Sequence, residues 1–151
     1  MDWGMFDIAA DRWTAFEETW EFQGEDFTGA VFSAQVRQTN DATGLPLIDL
    51  ATVVSASAQG LRIIYAGSAP VSAHIAALRL SEAPEGLTGA SLLALSQVGV
   101  RINEATMEAL PIAGERGADL ILAWDLHVTP SGGLKRKYLG GRFTVLAGAT
   151  Q

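Results

Sequence analysis

Alternation of apolar and polar positions governs most of this chain. Leu120, Leu122, Trp124, Leu126 and Val128 fall on one side of an extended backbone, and Ile121, Ala123, Asp125 and His127 on the other. A period of two marks a half-buried strand. Pro130-Ser131-Gly132-Gly133 ends the run, because proline removes a ladder donor and the glycines supply the positive φ that a reversal needs. Leu134 to Tyr138 and Arg142 to Leu146 resume the extended pattern, and Gly140-Gly141 between them predicts a bulge or bend. A hairpin leading into a further strand therefore closes the chain.

The earlier segments follow the same logic. From Arg12 to Phe22, Thr14, Phe16, Trp20 and Phe22 share one face, with Glu17, Thr19 and Glu21 opposite. Gln23-Gly24-Glu25-Asp26 supplies a turn, and Ala30, Phe32, Ala34 and Val36 form the inner face of the next strand, so the two predict a first hairpin. Asn40 to Pro46 reads as a loop, Leu50 to Ala58 and Leu61 to Ala66 as strands flanking Gln59-Gly60, and Gly67 to Pro70 as a further turn. Val71 to Leu80 is read as a strand in preference to a helix, and Ser81 to Gly89 as a loop. Val98, Val100 and Ile102 place a strand in the second half of Ser91 to Asn103. Asn103 is positioned to cap a short helix over Glu104 to Leu110, which Pro111 and Gly114 stop. Roughly seven to nine short strands, with turn signals every eight to twelve residues, predict an all-β fold. The expected form is an antiparallel β-sandwich, Ig-like or jelly-roll-like, with one short helix before the final hairpin.

At 151 residues the chain has the length of one domain, able to bury roughly two-thirds of its unfolded surface. Residues 1–11 are read as an amino-terminal arm and residues 12–151 as a single sandwich. The arm carries Trp3, Met5, Phe6 and Ile8 without a clean period. These side chains either cap the open end of the domain's own core, the preferred reading, or dock into a neighbouring subunit. Together with Trp13 they are the candidate partner contacts. Only 18% of residues are charged, against the usual quarter, which leaves neutral surface for partners.

A net charge of −7 with a pI near 4.7 argues against a nucleic-acid partner, whose phosphates require clustered Lys and Arg. Lys135-Arg136-Lys137 is the one cluster, beside a hairpin turn, where it reads as a solvated or edge-protecting face. Cysteine is absent, which excludes disulfides and thiolate metal sites. Met1 to Asp11 has acids where a secretion signal needs bases, and it lacks a continuous apolar core. A soluble protein made in the cytoplasm, with no membrane partner, is expected.

No catalytic constellation emerges, and no enzyme, metal or cofactor is expected. The two histidines, His74 and His127, lie in distant segments, and His127 shares a strand face with Asp125. Asp2, Asp7, Asp11, Glu17-Glu18 and Glu25-Asp26 lack the spacing of a calcium loop. Ala66-Gly67-Ser68-Ala69-Pro70 lacks the second glycine of a nucleophile elbow, and no glycine run forms a phosphate cradle. Asp26 and Thr28 are placed to close an Asx- or Thr-turn before the second strand. Of the four tryptophans, Trp20 and Trp124 have core phase, whereas Trp3 and Trp13 are free to contact a partner or to stack on a sugar.

Several of these segments carry a resemblance. Phe16, Phe22-Gln23-Gly24-Glu25-Asp26-Phe27-Thr28-Gly29-Ala30, Gln35-Val36-Arg37, Leu110-Pro111, Trp124-Asp125-Leu126 and Leu139-Gly140-Gly141-Arg142-Phe143-Thr144-Val145 occur in an order that resembles small β-sandwich proteins of tailed bacteriophages. The similarity is strongest to the amino-terminal domain of baseplate upper proteins and to tail-fibre anchoring domains. It implies a virion structural protein of the tail tip or baseplate, assembled in the host cytoplasm and residing in the tail. Its expected partners are other tail subunits and symmetric copies of itself. Because the chain ends at Gln151 soon after the last strand, an adaptor or anchoring subunit is expected over a receptor-binding fibre. The alternatives are a carbohydrate- or host-receptor-binding module, and a head decoration or head-to-tail connector protein.

Overall fold

The structure is a computed structural model that describes residues 4–39, 43–70, 92–111 and 117–147. It is all-β, with two sheets facing each other across one core and one short helix among the described residues. The strands are β1 (Gly4–Met5), β2 (Ile8–Asp11), β3 (Phe16–Gln23), β4 (Val31–Arg37), β5 (Ile48–Ala51), β6 (Gly60–Pro70), β7 (Leu92–Ile102), β8 (Leu120–Thr129) and β9 (Arg136–Leu146). Helix α1 (Glu104–Glu108) lies between β7 and β8. The larger sheet runs β1-β9-β8-β4-β5, with β2 also on β9, and the smaller runs β3-β7-β6.

The expected inner faces are largely the observed ones, but the strand expected from Arg12 begins only at Phe16, which leaves Thr14 exposed outside it. Leu122, Trp124, Leu126 and Val128 of β8 are buried, as are Phe32, Ala34 and Val36 of β4 and Phe16 and Trp20 of β3. Aromatic rings stitch the sheets together: Phe16 meets Phe143 edge-on at 6.1 Å, and Trp20 lies 5.2 Å from Trp124. Contacts of this kind add to the area that the rings remove from water.

Several expectations are corrected. β3 and β4 are not a hairpin, because β3 belongs to the smaller sheet and β4 to the larger. Their connection crosses the sandwich, and Phe27, 1% exposed, plugs the crossing. The buried Ser96 hydroxyl fixes it, accepting from the Phe27 amide at 2.8 Å and donating to the Glu25 carbonyl at 2.8 Å. The Asp26 turn forms as expected, its Oδ1 accepting from both the Thr28 amide and the Thr28 hydroxyl.

The strand expected over Leu50 to Ala58 is shorter and earlier. β5 ends at Ala51, and Thr52 Oγ1 accepts from the Phe32 amide at 2.7 Å, so a side chain replaces the next rung of the ladder. Gly67 to Pro70 is not a turn but the end of β6, paired with Leu92 to Leu95. Among the described residues β6 is an edge strand, the setting in which a sheet tolerates proline. Asn103 precedes α1 without a side-chain cap, because its Oδ1 accepts from Arg101 Nε instead. The segments 71–80 and 81–89, with His74, lie outside the described residues.

The sheet is mixed rather than purely antiparallel, since β1 and β2 run parallel to β9. Ile8 and Ala10 of β2 point into the core at 4% and 3% exposure. The bulge of the final strand falls at Tyr138 rather than at Gly140-Gly141, which stay in register opposite Asp125 and Trp124.

Candidate functional site

Gly141 is small for a different reason, and it builds one wall of the site. Met5 pairs with Gly140 and Ile8 with Phe143, so the register is unbroken from β1 to β2. Between them, the Phe6 carbonyl turns across Gly141 and accepts from Trp124 Nε1 at 2.8 Å. A Cβ on Gly141 would stand 2.4 Å from that oxygen and 2.7 Å from Asp7 Oδ1. The Arg142 amide, its ladder bond displaced, donates to Asp7 Oδ1 at 2.9 Å. The Phe6 carbonyl and the Arg142 amide are thus both hydrogen-bonded beside the kink.

The kink presses Phe6 into the mouth of the sandwich. Its ring meets Trp20 at 6.2 Å and Trp124 at 6.3 Å, both edge-on. Trp20 donates its indole N–H to Glu18 Oε2 at 3.0 Å, which leaves its ring face to the apolar side. Phe6, Thr19, Trp20, Glu21, Phe22 and Leu139 enclose a cleft of about 340 Å³. The strand order makes β1 the end of one sheet and β3 the end of the other. An apolar cleft is therefore flanked by two strands whose outer amides and carbonyls have no sheet neighbour among the described residues, an arrangement suited to receiving another chain.

The candidate contacts separate on this frame. Met5 is 74% exposed and Phe6 42%, both at the open edge. Ile8 is corrected to a core residue, because its place opposite Phe143 turns it inward. Trp13 is 42% exposed beyond β2, where its indole N–H donates to the Ala147 carbonyl at 3.2 Å. Trp3 lies outside the described residues. Phe22, Leu139 and the cleft itself escaped sequence reasoning, because residues 6, 20, 22 and 139 meet only through the sheet order.

Asp125 and His127 do share the outer face of the larger sheet, with His127 Nδ1 3.6 Å from Asp125 Oδ1. That oxygen is shielded from solvent and accepts no hydrogen bond. Partial burial holds the His127 pKa below its ordinary value, outweighing the attraction of Asp125, and Lys135 and Lys137 push the same way. The pair forms a charge-sensitive spot on a sheet face.

A second depression lies on the outer face of the smaller sheet. Two glycines line it: Gly99 at the middle of β7, paired with Thr19 and Arg62, and Gly60 at the start of β6, paired with Arg101. Its volume is about 310 Å³, and the loop carrying Ser55 and Ala58 closes one end. Arg101 is committed to Glu17 and Asn103.

No protein-family model matches the sequence, and no curated protein matches it.

Proposed function

We propose that the chain is a structural subunit of a bacteriophage tail tip or baseplate, an adaptor that joins neighbouring tail proteins by packing rather than by catalysis. The observation that carries the adaptor reading is the open edge between β1 and β3. There, Met5 and Phe6 are exposed beside an apolar cleft, and two strands offer backbone groups that have no sheet neighbour among the described residues. A free monomer gains nothing from such an edge, whereas an assembled particle buries it. The tail assignment rests on the sequence resemblance, and the partners it implies are other tail subunits together with symmetric copies of this chain.

Met5→Asp tests the reading, with Leu45→Asp as its control. Leu45 is 96% exposed and precedes β5, at the opposite end of the larger sheet. Both variants are expected to fold with stabilities within about 0.5 kcal/mol of the parent, as exposed substitutions usually do. Only Met5→Asp is expected to abolish incorporation into tail particles assembled in the host, as read by immunoblot of purified particles. Incorporation of both variants at parental levels would sink the proposal.

A further inference from the structure

We propose that the hollow on the outer face of the smaller sheet is a binding site for a singly charged sugar acid, with Arg62 anchoring its carboxylate. The inference stands on different residues from the open edge and does not depend on the tail assignment.

Arg62 is the first observation. Its guanidinium reaches across the sheet to within 3.7 Å of where a Gly99 Cβ would stand. No hydrogen bond or ion pair engages it among the described residues, while Arg101, on the neighbouring strand, is held by Glu17 and Asn103. An unengaged guanidinium is notable in a chain of net charge −7, where carboxylates are plentiful. Its planar fork matches a carboxylate with two parallel bonds.

Gly99 is the second observation. Glycine in the interior of a central strand weakens it by roughly 0.5–1 kcal/mol relative to alanine. No positive φ is assigned to Gly99, so the backbone conformation does not require glycine there. What its absent side chain provides is the floor of the hollow, with Ile64 leaning over one side. Strand-interior glycine of this kind often marks a place where a ligand approaches the backbone.

The remaining lining sets the ligand class. Thr19 and Ser55 offer hydroxyls, and Glu17 offers a carboxylate acceptor beside its ion pair. Ser55 is itself positioned, because its Oγ accepts from the Ser57 amide and lies 2.9 Å from the Ser57 hydroxyl. Ala56, Ala58 and Ile64 supply apolar surface. Donors, acceptors and small apolar patches interleaved in a space of about 310 Å³ suit a polyhydroxylated ring. One guanidinium left without a partner among the described residues accommodates one negative charge, whereas an acidic peptide or a polyphosphate would meet Glu17 and Glu18 of the lining as well.

Titration of the 15N-labelled full chain with glucuronate, glucose and acetate tests the site. Glucuronate is expected to shift the backbone amides of Thr19, Arg62 and Gly99, with a dissociation constant on the order of 1 mM. Glucose and acetate are each expected to bind at least about tenfold more weakly, having lost the charge or the ring. Arg62→Gln is expected to weaken glucuronate by at least about tenfold with an unchanged melting temperature, since Arg62 makes no hydrogen bond or ion pair among the described residues. Ser55→Ala is expected to weaken glucuronate without affecting acetate. Glucose equal to glucuronate, acetate equal to glucuronate, no shift at these amides, or undiminished binding by Arg62→Gln would each overturn the proposal.

Discussion

Arg12 puts a guanidinium where a hydrophobic residue would be expected. It is 7% exposed, and it donates from Nη1 to the Leu110 carbonyl and from Nη2 to the Pro111 carbonyl, each at 2.7 Å. The chain leaving α1 is thereby tied to the turn between β2 and β3, which closes one end of the core. Arg12→Met keeps the apolar stem but leaves two carbonyls without a donor, so a loss of about 2–4 kcal/mol is expected in urea denaturation. Arg12→Lys is expected to recover less than half, because a single ammonium does not reproduce the planar fork. Equal midpoints for Arg12→Met and the parent would contradict this role. Gly141 makes the complementary point. The glycine pair was legible as a special position, but the reason was not: Gly141 yields space to the Phe6 carbonyl, between β1 and β2 and more than a hundred residues away. Gly141→Ala is expected to cost about 1–3 kcal/mol by overpacking and to alter the tryptophan fluorescence, as Trp124 loses its bond to Phe6.

At the scale of elements, alternation reports which side chains turn inward, and it says nothing about which sheet they turn inward from. Phe16 and Trp20 on β3 and Phe32 and Ala34 on β4 read alike, although they face each other across the core. Hence the strands were legible and the crossing between them was not. Ser96, the residue that fixes that crossing, stands between Leu95 and Gln97 with no local signal. The β8–β9 hairpin was legible because its turn chemistry is local: the Gly133 amide donates to the Pro130 carbonyl at 2.9 Å, with Gly132 at φ 72°. This hairpin also carries a pH response. His127 has a folded pKa below its ordinary 6.5, so the unfolded chain takes up the proton first as pH falls. Stability is therefore expected to decline as pH drops below about 6.5 and to level off beneath the folded pKa. Asp125 opposes the decline, while Lys135, Lys137 and desolvation drive it. His127→Gln is expected to flatten the melting temperature between pH 7.5 and 5.5 relative to the parent. An identical pH slope in the variant would remove His127 from the account.

For the whole molecule, the open edge exists because β1 and β2 join β9 in parallel, so the chain's first strands and its last strand share one margin of the larger sheet. Apolar residues without a clean period at positions 3–8 signalled that something docks there, but pairing between the two ends of a chain leaves no local trace. The margin separates two physical accounts of residues 1–11. If they are a detachable arm, their removal leaves an intact sandwich; if they are sheet and core, it opens β9 and empties the seats of Ile8 and Ala10. The burial of Ile8 and the Phe6–Trp124 bond favour the second. A chain beginning at Arg12 is expected to lose at least about 3 kcal/mol, within the range for deleting one large buried aliphatic side chain. It is also expected to associate with rising concentration, because β9 would present a long unpaired edge. Denaturation and light scattering of the shortened chain measure both effects. Retained stability in a strictly monomeric shortened chain would restore the arm, and Met5 and Phe6 would then act as a tether rather than as the rim of a folded edge.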